Sequence, residues 1–331
     1  MGVPTFSLPA LVDTARAAHG AGGSDLLDQL EAALRDPGAF RLADVPITET
    51  LLAEMHAATS AFFELPMEAK AVYRYVDDQY VGWCGGEFLG QYGSVDRKEM
   101  FHIGPRVAPT LADAAHRTDG SLPELDASVV DAAAAGCTLW PTAPAAFVPV
   151  WHEYYLAMQH VAALLGEVLA TLLDISSDEW FAVMGGNWAD LAANYYPALD
   201  PDEAGAPVYN AAHKDLTVFT VLHQDQSRIG GLSVQSADGS WDDVAPVPGT
   251  YVFNVGELLT YLSGGRWRAA PHRVTVSTAA AGTDEARISV PFFYRPSDHR
   301  VVTSFVDPAA PAVAVGAWVL DRKQAVSSAS T

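Results

Sequence analysis

The chain has 331 residues, half of them hydrophobic, enough for a substantial core in one large domain or two smaller ones. Its 40 acidic residues against 19 basic ones give a formal net charge of −21, a field that repels nucleic acid and anionic membranes and so argues against both as partners. The two cysteines, Cys84 and Cys137, form no disulfide framework or metal-ligand cluster, the first residues lack the basic and apolar blocks of a signal peptide, and no apolar run is long enough for a membrane span. The cytoplasm is the expected compartment.

In chain order, Ser24 could cap a helix in which Leu26, Leu27, Leu30 and Leu34 recur at helical spacing, with Pro37-Gly38 as its stop. A second helix follows Thr48 and buries Leu52, Met55, Phe62 and Phe63. The Ala-, Pro-, Gly- and Asp-rich stretch from Pro105 to Pro144 has weak periodicity and reads as a long loop or lid. After Pro149, Val150, Tyr154, Met158, Val161, Leu165 and Leu172 form the longest helical pattern, which predicts a helix backing a sheet. From Leu191 the character changes to short β-rich runs broken by Gly, Pro and Asp: Ala192 to Tyr196, Leu216 to Leu222, Leu232 to Gln235, Tyr251 to Val255, Val274 to Ser277 and Ile288 to Phe293. Such runs predict a sandwich or jelly roll with helices packed outside it, and only Ser327 to Thr331 reads as a tail.

Chemistry concentrates in the β-rich half. His213-Lys214-Asp215 and His223-Gln224-Asp225 share one spacing, and on a strand positions i and i+2 point the same way, so either pair could grip one ion. The first enters the apolar run from Leu216 to Leu222, and the second follows it beside a Gly-Gly turn; spacing does not choose between them. His272, far downstream, could supply a third ligand from a return strand. Two histidines and one carboxylate occupy one face of an octahedral metal and leave the other open, as non-haem Fe(II) oxygenases require. Arg287 and Ser289 also lie two apart, offering a planar fork and a hydroxyl to a carboxylate. Phe292-Phe293-Tyr294 reads as a strand end with one ring free to face a ligand. Tyr80, Trp83 and Phe88 lie in a Gly-rich segment, Gly82 to Gly90, that could close over a pocket, although core packing also accounts for such rings.

The segments Ala212 to Leu222, Asn254-Val255-Gly256-Glu257-Leu258-Leu259 and Ser263 to Val274, with Gly230-Gly231-Leu232 between them, resemble the isopenicillin N synthase-like family of 2-oxoglutarate-dependent Fe(II) dioxygenases. Towards the amino terminus, Val3 to Leu8, Ala39 to Leu42, Ala61 to Pro66 with Lys70, and Asp96 to Gly104 are similar to the same family. The resemblance implies one oxygenase domain over 1–331, with a family amino-terminal region in 1–104, the lid in 105–145 and an iron-binding core in 190–300. It implies an α+β, mainly β fold: a double-stranded β-helix, or jelly roll, with supporting helices. It sets the metal ligands as His213, Asp215 and His272, the cofactors as Fe(II), 2-oxoglutarate and O2, and the distal carboxylate of 2-oxoglutarate on Arg287 and Ser289 with Tyr196, from the Asn194-Tyr195-Tyr196-Pro197 run, assisting and Asn194 beside it. Phe293 and Arg295 would then point into the substrate space. The run from Ser277 to Ala286 is longer than the family pattern and reads as a surface insertion that leaves Arg287 in register. The expected activity is hydroxylation, desaturation or cyclisation of a small molecule in bacterial specialised-metabolite, such as antibiotic, biosynthesis. The alternatives are an oxidase that uses no 2-oxoglutarate, its Arg-x-Ser pair holding the substrate instead, and a non-catalytic ligand-binding relative. Nothing in the sequence sets the oligomeric state.

Overall fold

The computed structural model describes residues 2–18, 24–74, 82–85, 87–89, 95–104, 140–184, 189–198, 208–226, 230–276 and 285–328. Its strands are β1 (Thr5–Ser7), β2 (Ala39–Ala43), β3 (Gly82–Cys84), β4 (Glu87–Leu89), β5 (Val95–Arg97), β6 (Glu99–Ile103), β7 (Ala189–Tyr196) and β8 (Val208–His213). There follow β9 (Phe219–Gln224), β10 (Gly230–Gln235), β11 (Trp241–Val244), β12 (Thr250–Val255), β13 (His272–Val276), β14 (Arg287–Tyr294), β15 (Val301–Val302) and β16 (Val313–Ala314). The helices are α1 (Leu8–Ala18), α2 (Asp25–Arg35), α3 (Glu49–Phe63), α4 (Met67–Ala71), α5 (Phe147–Leu172), α6 (Ser177–Met184), α7 (Glu257–Leu262) and α8 (Val315–Ser328).

Eight strands in the order β1-β2-β12-β9-β14-β7-β6-β3 make the larger sheet, and β11-β10-β13-β8 make a smaller one. Pairing is antiparallel except between β1 and β2. From β7 to β14 the chain passes repeatedly between the sheets, with β7, β9, β12 and β14 in the larger and β8, β10, β11 and β13 in the smaller. That alternation is the double-stranded β-helix, and it directs every second side chain of each strand into the space between the sheets.

The helix predicted to back a sheet is α5. It starts at Phe147, so Pro149 falls in the first turn, where a missing N–H leaves no hydrogen bond unmade. Its aromatic face meets the outer side of the larger sheet, Tyr155 against Phe292 (ring centroids 5.6 Å apart) and Trp151 against Phe101 (5.4 Å). Trp151 Nε1 donates to Thr59 Oγ1 of α3 at 2.9 Å, so this buried indole keeps its hydrogen bond. By length and composition α5 could also cross a membrane, yet half of its most apolar window is buried inside the fold.

Two helices end or begin as their sequences predict. The side chain of Thr48 accepts from Leu51 N at 3.1 Å and caps α3, whereas Ser24 stands at the N-cap of α2 without a side-chain cap bond. Gly38, at φ +82°, ends the α2 turn where a Cβ would sit 2.0 Å from the Arg268 carbonyl oxygen, so only glycine lets the backbone pass. α1 and α8 are not among the elements expected from the sequence, although Leu8, Leu11, Val12 and Ala15 of α1 are buried at the spacing of one helix face. The strand predicted from Leu216 starts instead at Phe219 and runs to Gln224, while β8, unpredicted, ends at His213. Of the predicted lid, 105–139 lie outside the described residues, as do 277–284 of the predicted insertion.

Candidate metal and cosubstrate site

His213 closes β8 and His272 opens β13, and the register pairs them directly across the smaller sheet. Asp215 is therefore not a strand partner two positions along, as the spacing suggests. It lies beyond the end of β8, in the connection that carries the chain to the larger sheet, and its backbone oxygen accepts from Glu257 N at 2.8 Å. The three side chains meet between the sheets: Asp215 Oδ1 stands 3.8 Å from His213 Nε2 and 3.6 Å from His272 Nε2. Among the described residues this is the one group of three His, Cys, Asp or Glu side chains whose ligand atoms lie within 4.8 Å of one another, so it could hold a metal ion.

The donor chemistry fits a divalent cation. His213 Nδ1 lies 2.7 Å from the Ala211 carbonyl oxygen and His272 Nδ1 3.0 Å from that of Ala270. A carbonyl only accepts, so each proton sits on Nδ1 and each Nε2 lone pair turns to the centre. Burial, and next the neighbouring His272, push the pKa of His213 down to about 3, so this imidazole is neutral at pH 7. Burial acts to raise the Asp215 carboxyl, but the two histidines, Thr220 and Asn254 outweigh it, and its pKa is lowered.

A second polar group lies on β14. Arg287 and Ser289, each 2% exposed, face inwards beside β7 and β9, with Arg287 opposite Tyr196 and Ser289 opposite Asn194 and Gln224. The Arg287 guanidinium lies 4.9 Å from the Tyr196 ring centroid and donates from Nη2 to Gln224 Oε1 at 2.8 Å. Its buried Nη1 has no hydrogen-bond partner among the described residues. A buried guanidinium with an unmet donor is costly unless an acceptor arrives, which suits a ligand carboxylate. β9 joins the two groups, since Thr220 bonds Asp215 and Gln224 bonds Arg287 from one face of the strand, with about 13 Å between their Cα atoms.

The remaining predicted site residues divide. Phe293 lies opposite Thr220, is partly exposed, and has the His102 ring 6.3 Å away, so it stands on the inner wall near Asp215. Arg295 corrects the expectation of a substrate-facing cation: it is 6% exposed, donates from Nε to Asp190 at 3.0 Å and pairs with Asp298. Its charge is already balanced by two carboxylates. Trp83 is likewise placed in the core, 3% exposed, with Nε1 donating to Glu99 at 2.8 Å. That same Glu99 oxygen pairs with buried Lys70 at 2.6 Å, which joins α4 to β6. Tyr80 and the side chain of Phe88 lie outside the described residues.

Thr220, Asn254, Gln224 and Glu31 carry roles that the sequence does not single out. Glu31 accepts from Arg266 Nε at 2.6 Å and from Trp267 Nε1 at 2.9 Å, fixing the segment that delivers His272. The only sequence signal for it is an acidic residue on a helix, which is too common to be informative.

Residues 187–296 match the 2OG-Fe(II) oxygenase superfamily, and residues 3–123 match the family described as non-haem dioxygenase in morphine synthesis N-terminal. Over 337 residues the chain is 28% identical to validamycin A dioxygenase of Streptomyces hygroscopicus subsp. limoneus, which takes in 96% of this chain and 86% of that protein. It is 34% identical over 165 residues to protein DMR6-LIKE OXYGENASE 1 of Arabidopsis thaliana, a match that spans 49% of this chain and only 44% of the plant protein. The fold is similar to that of JOX2 in complex with 2OG, Fe and JA (TM-score 0.75, 22% identity, 98% of this chain and 85% of that one). It is also similar to the dioxygenase for auxin oxidation in rice (TM-score 0.69, 24% identity, 98% of this chain and 95% of that one). The superfamily uses Fe(II), 2-oxoglutarate and O2, and its members are oxidoreductases. By the two matches, the jelly-roll core and the likeness along nearly the whole chain, this protein belongs to the 2OG-Fe(II) oxygenase superfamily.

Proposed function

We propose that the protein is a mononuclear Fe(II), 2-oxoglutarate-dependent oxygenase in which His213, Asp215 and His272 hold the metal. Arg287, with Ser289, Tyr196 and Asn194 around it, receives the far carboxylate of 2-oxoglutarate. The observation that carries the reading is the two-histidine, one-carboxylate cluster on the same inner space as a buried guanidinium with an unmet donor. Iron and 2-oxoglutarate, when bound, supply oxidation of a substrate C–H bond by O2, with succinate and CO2 as the co-products.

The chain's own part is to hold and orient. The Ala211 and Ala270 carbonyls fix both imidazoles with Nε2 inward, and the buried carboxylate of Asp215 brings the negative charge. Arg287, held by Gln224, takes the cosubstrate in one orientation, and Phe293 offers an apolar wall to the substrate. The substrate is a small molecule, hydroxylated in the simplest outcome, with desaturation or ring closure set by how its carbon centre is held. A bacterial specialised-metabolite pathway is supported by the long match to the Streptomyces enzyme. Anaerobic titration with Fe(II) and 2-oxoglutarate, then succinate release across candidate substrates, tests the reading. Turnover independent of 2-oxoglutarate, with Arg287→Gln damaging substrate binding instead, would turn it into an oxidase of the isopenicillin N synthase type.

A further inference from the structure

We infer that Thr220 and Asn254 are positioning residues that make Asp215 a one-oxygen ligand; the inference rests on the iron-site reading above. Both hydrogen bonds to the carboxylate land on the same atom. Thr220 Oγ1 donates to Asp215 Oδ2 at 2.5 Å, and Asn254 Nδ2 donates to it at 2.8 Å. Oδ1 is the oxygen turned to the two Nε2 atoms, at 3.8 and 3.6 Å. Because the Thr220 proton goes to the carboxylate, Thr217 Oγ1, 3.3 Å away, is the donor of the next bond in the chain. All four side chains are less than a tenth exposed, so no water competes with the arrangement from bulk.

The backbone is fastened in the same place. Glu257 N donates to the Asp215 oxygen (2.8 Å), Leu258 N to that of Thr217 (3.1 Å) and Gly256 N to that of Val218 (2.9 Å). A Cβ at Gly256 would lie 2.0 Å from Thr217 O, so the Asn-x-Gly turn closes on the Asp215 connection only with glycine there. Asn254 and Gly256 thus act together, one on the side chain and one by letting the chains approach.

The consequence is coordinative. A carboxylate with both oxygens available can chelate a metal and occupy two positions, whereas an open catalytic site of this ligand type needs three positions left for a bidentate cosubstrate and a gas. Two donors on Oδ2 engage its lone pairs and hold the group with Oδ1 forward.

The test compares Thr220→Val, which keeps the shape and loses the hydroxyl, with Thr220→Ser and Asn254→Ala. It reads the anaerobic Fe(II) dissociation constant, the ligand-field absorption of the Co(II)-substituted protein, and the melting temperature of the metal-free protein. The expected result is a roughly 10–100-fold weaker Fe(II) affinity in Thr220→Val and Asn254→Ala. Their Co(II) bands should change, and both properties should return in Thr220→Ser. Wild-type affinity and an unchanged Co(II) spectrum in both variants would overturn the inference, even with a lower melting temperature, since that is the signature of core packing alone. If Asn254→Ala does not fold, the isosteric Thr220→Val decides the matter by the same two readouts. Wild-type protein that binds no Fe(II), or binds it equally well after His213→Ala, is a distinguishable result that removes the iron-site reading and this inference with it.

Discussion

His213-Lys214-Asp215 and His223-Gln224-Asp225 have identical spacing, yet the fold makes them opposites. The first pair turns into the space between the sheets, where its ligand atoms converge with those of His272. In the second, His223 stands on the outer face of β9, where its Nδ1 is 2.7 Å from His56 Nε2 of α3 and its ring centroid lies 5.1 Å from that of Tyr251. Asp225 accepts from Ile288 N and receives no metal-facing role. Burial lowers the pKa of His213 and of His223 alike to about 3, so a shifted value does not mark the functional histidine. What separates them is the face of the sheet, which follows from strand parity and from the sheet each strand joins. Changes to the inner-face groups that converge on the metal or cosubstrate should remove these and leave the fold, and changes to residues paired within the fold, such as those of the outer face, should do the reverse.

The largest effect is expected from His213→Ala and His272→Ala, each of which should abolish Fe(II) retention and turnover while the melting temperature of the metal-free protein stays within a few degrees. Metal analysis of the purified variants checks this.

Arg295 and Arg287 sharpen the comparison within the inner face. Burial pulls the Arg295 pKa down, but Asp190 and Asp298 outweigh it and hold the group charged. Arg295→Ala should therefore strand buried Asp190 and lower stability by about 3–5 kcal/mol, seen in denaturant unfolding. Arg287→Gln should instead weaken 2-oxoglutarate binding by roughly 2–5 kcal/mol with Fe(II) affinity unchanged, seen by calorimetry under nitrogen.

The outer pair predicts a pH effect. His223 is held neutral by burial first and by neighbouring His56 next, with Tyr251 packed on its ring, while Asp225 acts on His56 in the opposite sense to burial. In the unfolded chain its pKa returns to about 6.5. The unfolded state then takes up a proton that the folded state refuses, so this contribution is intact above pH 6.5 and is lost as pH falls towards 3. Between pH 6.5 and 5 it amounts to about 2 kcal/mol. His223→Gln should flatten that part of the stability-versus-pH curve without altering Fe(II) affinity at pH 7. The smallest effect belongs to Phe293→Ala: a few-fold excess of succinate over product with both cofactors still bound.

The candidate metal ligands are legible in the sequence because the resemblance supplies a register that spacing cannot. The jelly roll is legible in the short strands after Leu191, and α5 in its apolar stripe. β8 is not, because Val208 to His213 carries only Val208 and Tyr209 as strand-favouring residues and owes its form to pairing with β13. Arg295 misleads because strand parity points it inward correctly, while the acids that neutralise it come from β7 and from the turn after Pro296, contacts no local pattern encodes. Thr220 and Asn254 escape for the same reason: a threonine and an asparagine in apolar strands acquire meaning only when both meet one oxygen of Asp215.

The most direct test of the inner-versus-outer assignment is a side-by-side anaerobic titration of wild type, Asp215→Ala and Asp225→Ala with Fe(II) in the presence of 2-oxoglutarate, following the visible charge-transfer absorption of the chelated metal. The band should form in wild type and in Asp225→Ala with affinities within a few-fold of each other, and be absent in Asp215→Ala. A normal band in Asp215→Ala together with its loss in a folded Asp225→Ala would contradict the assignment.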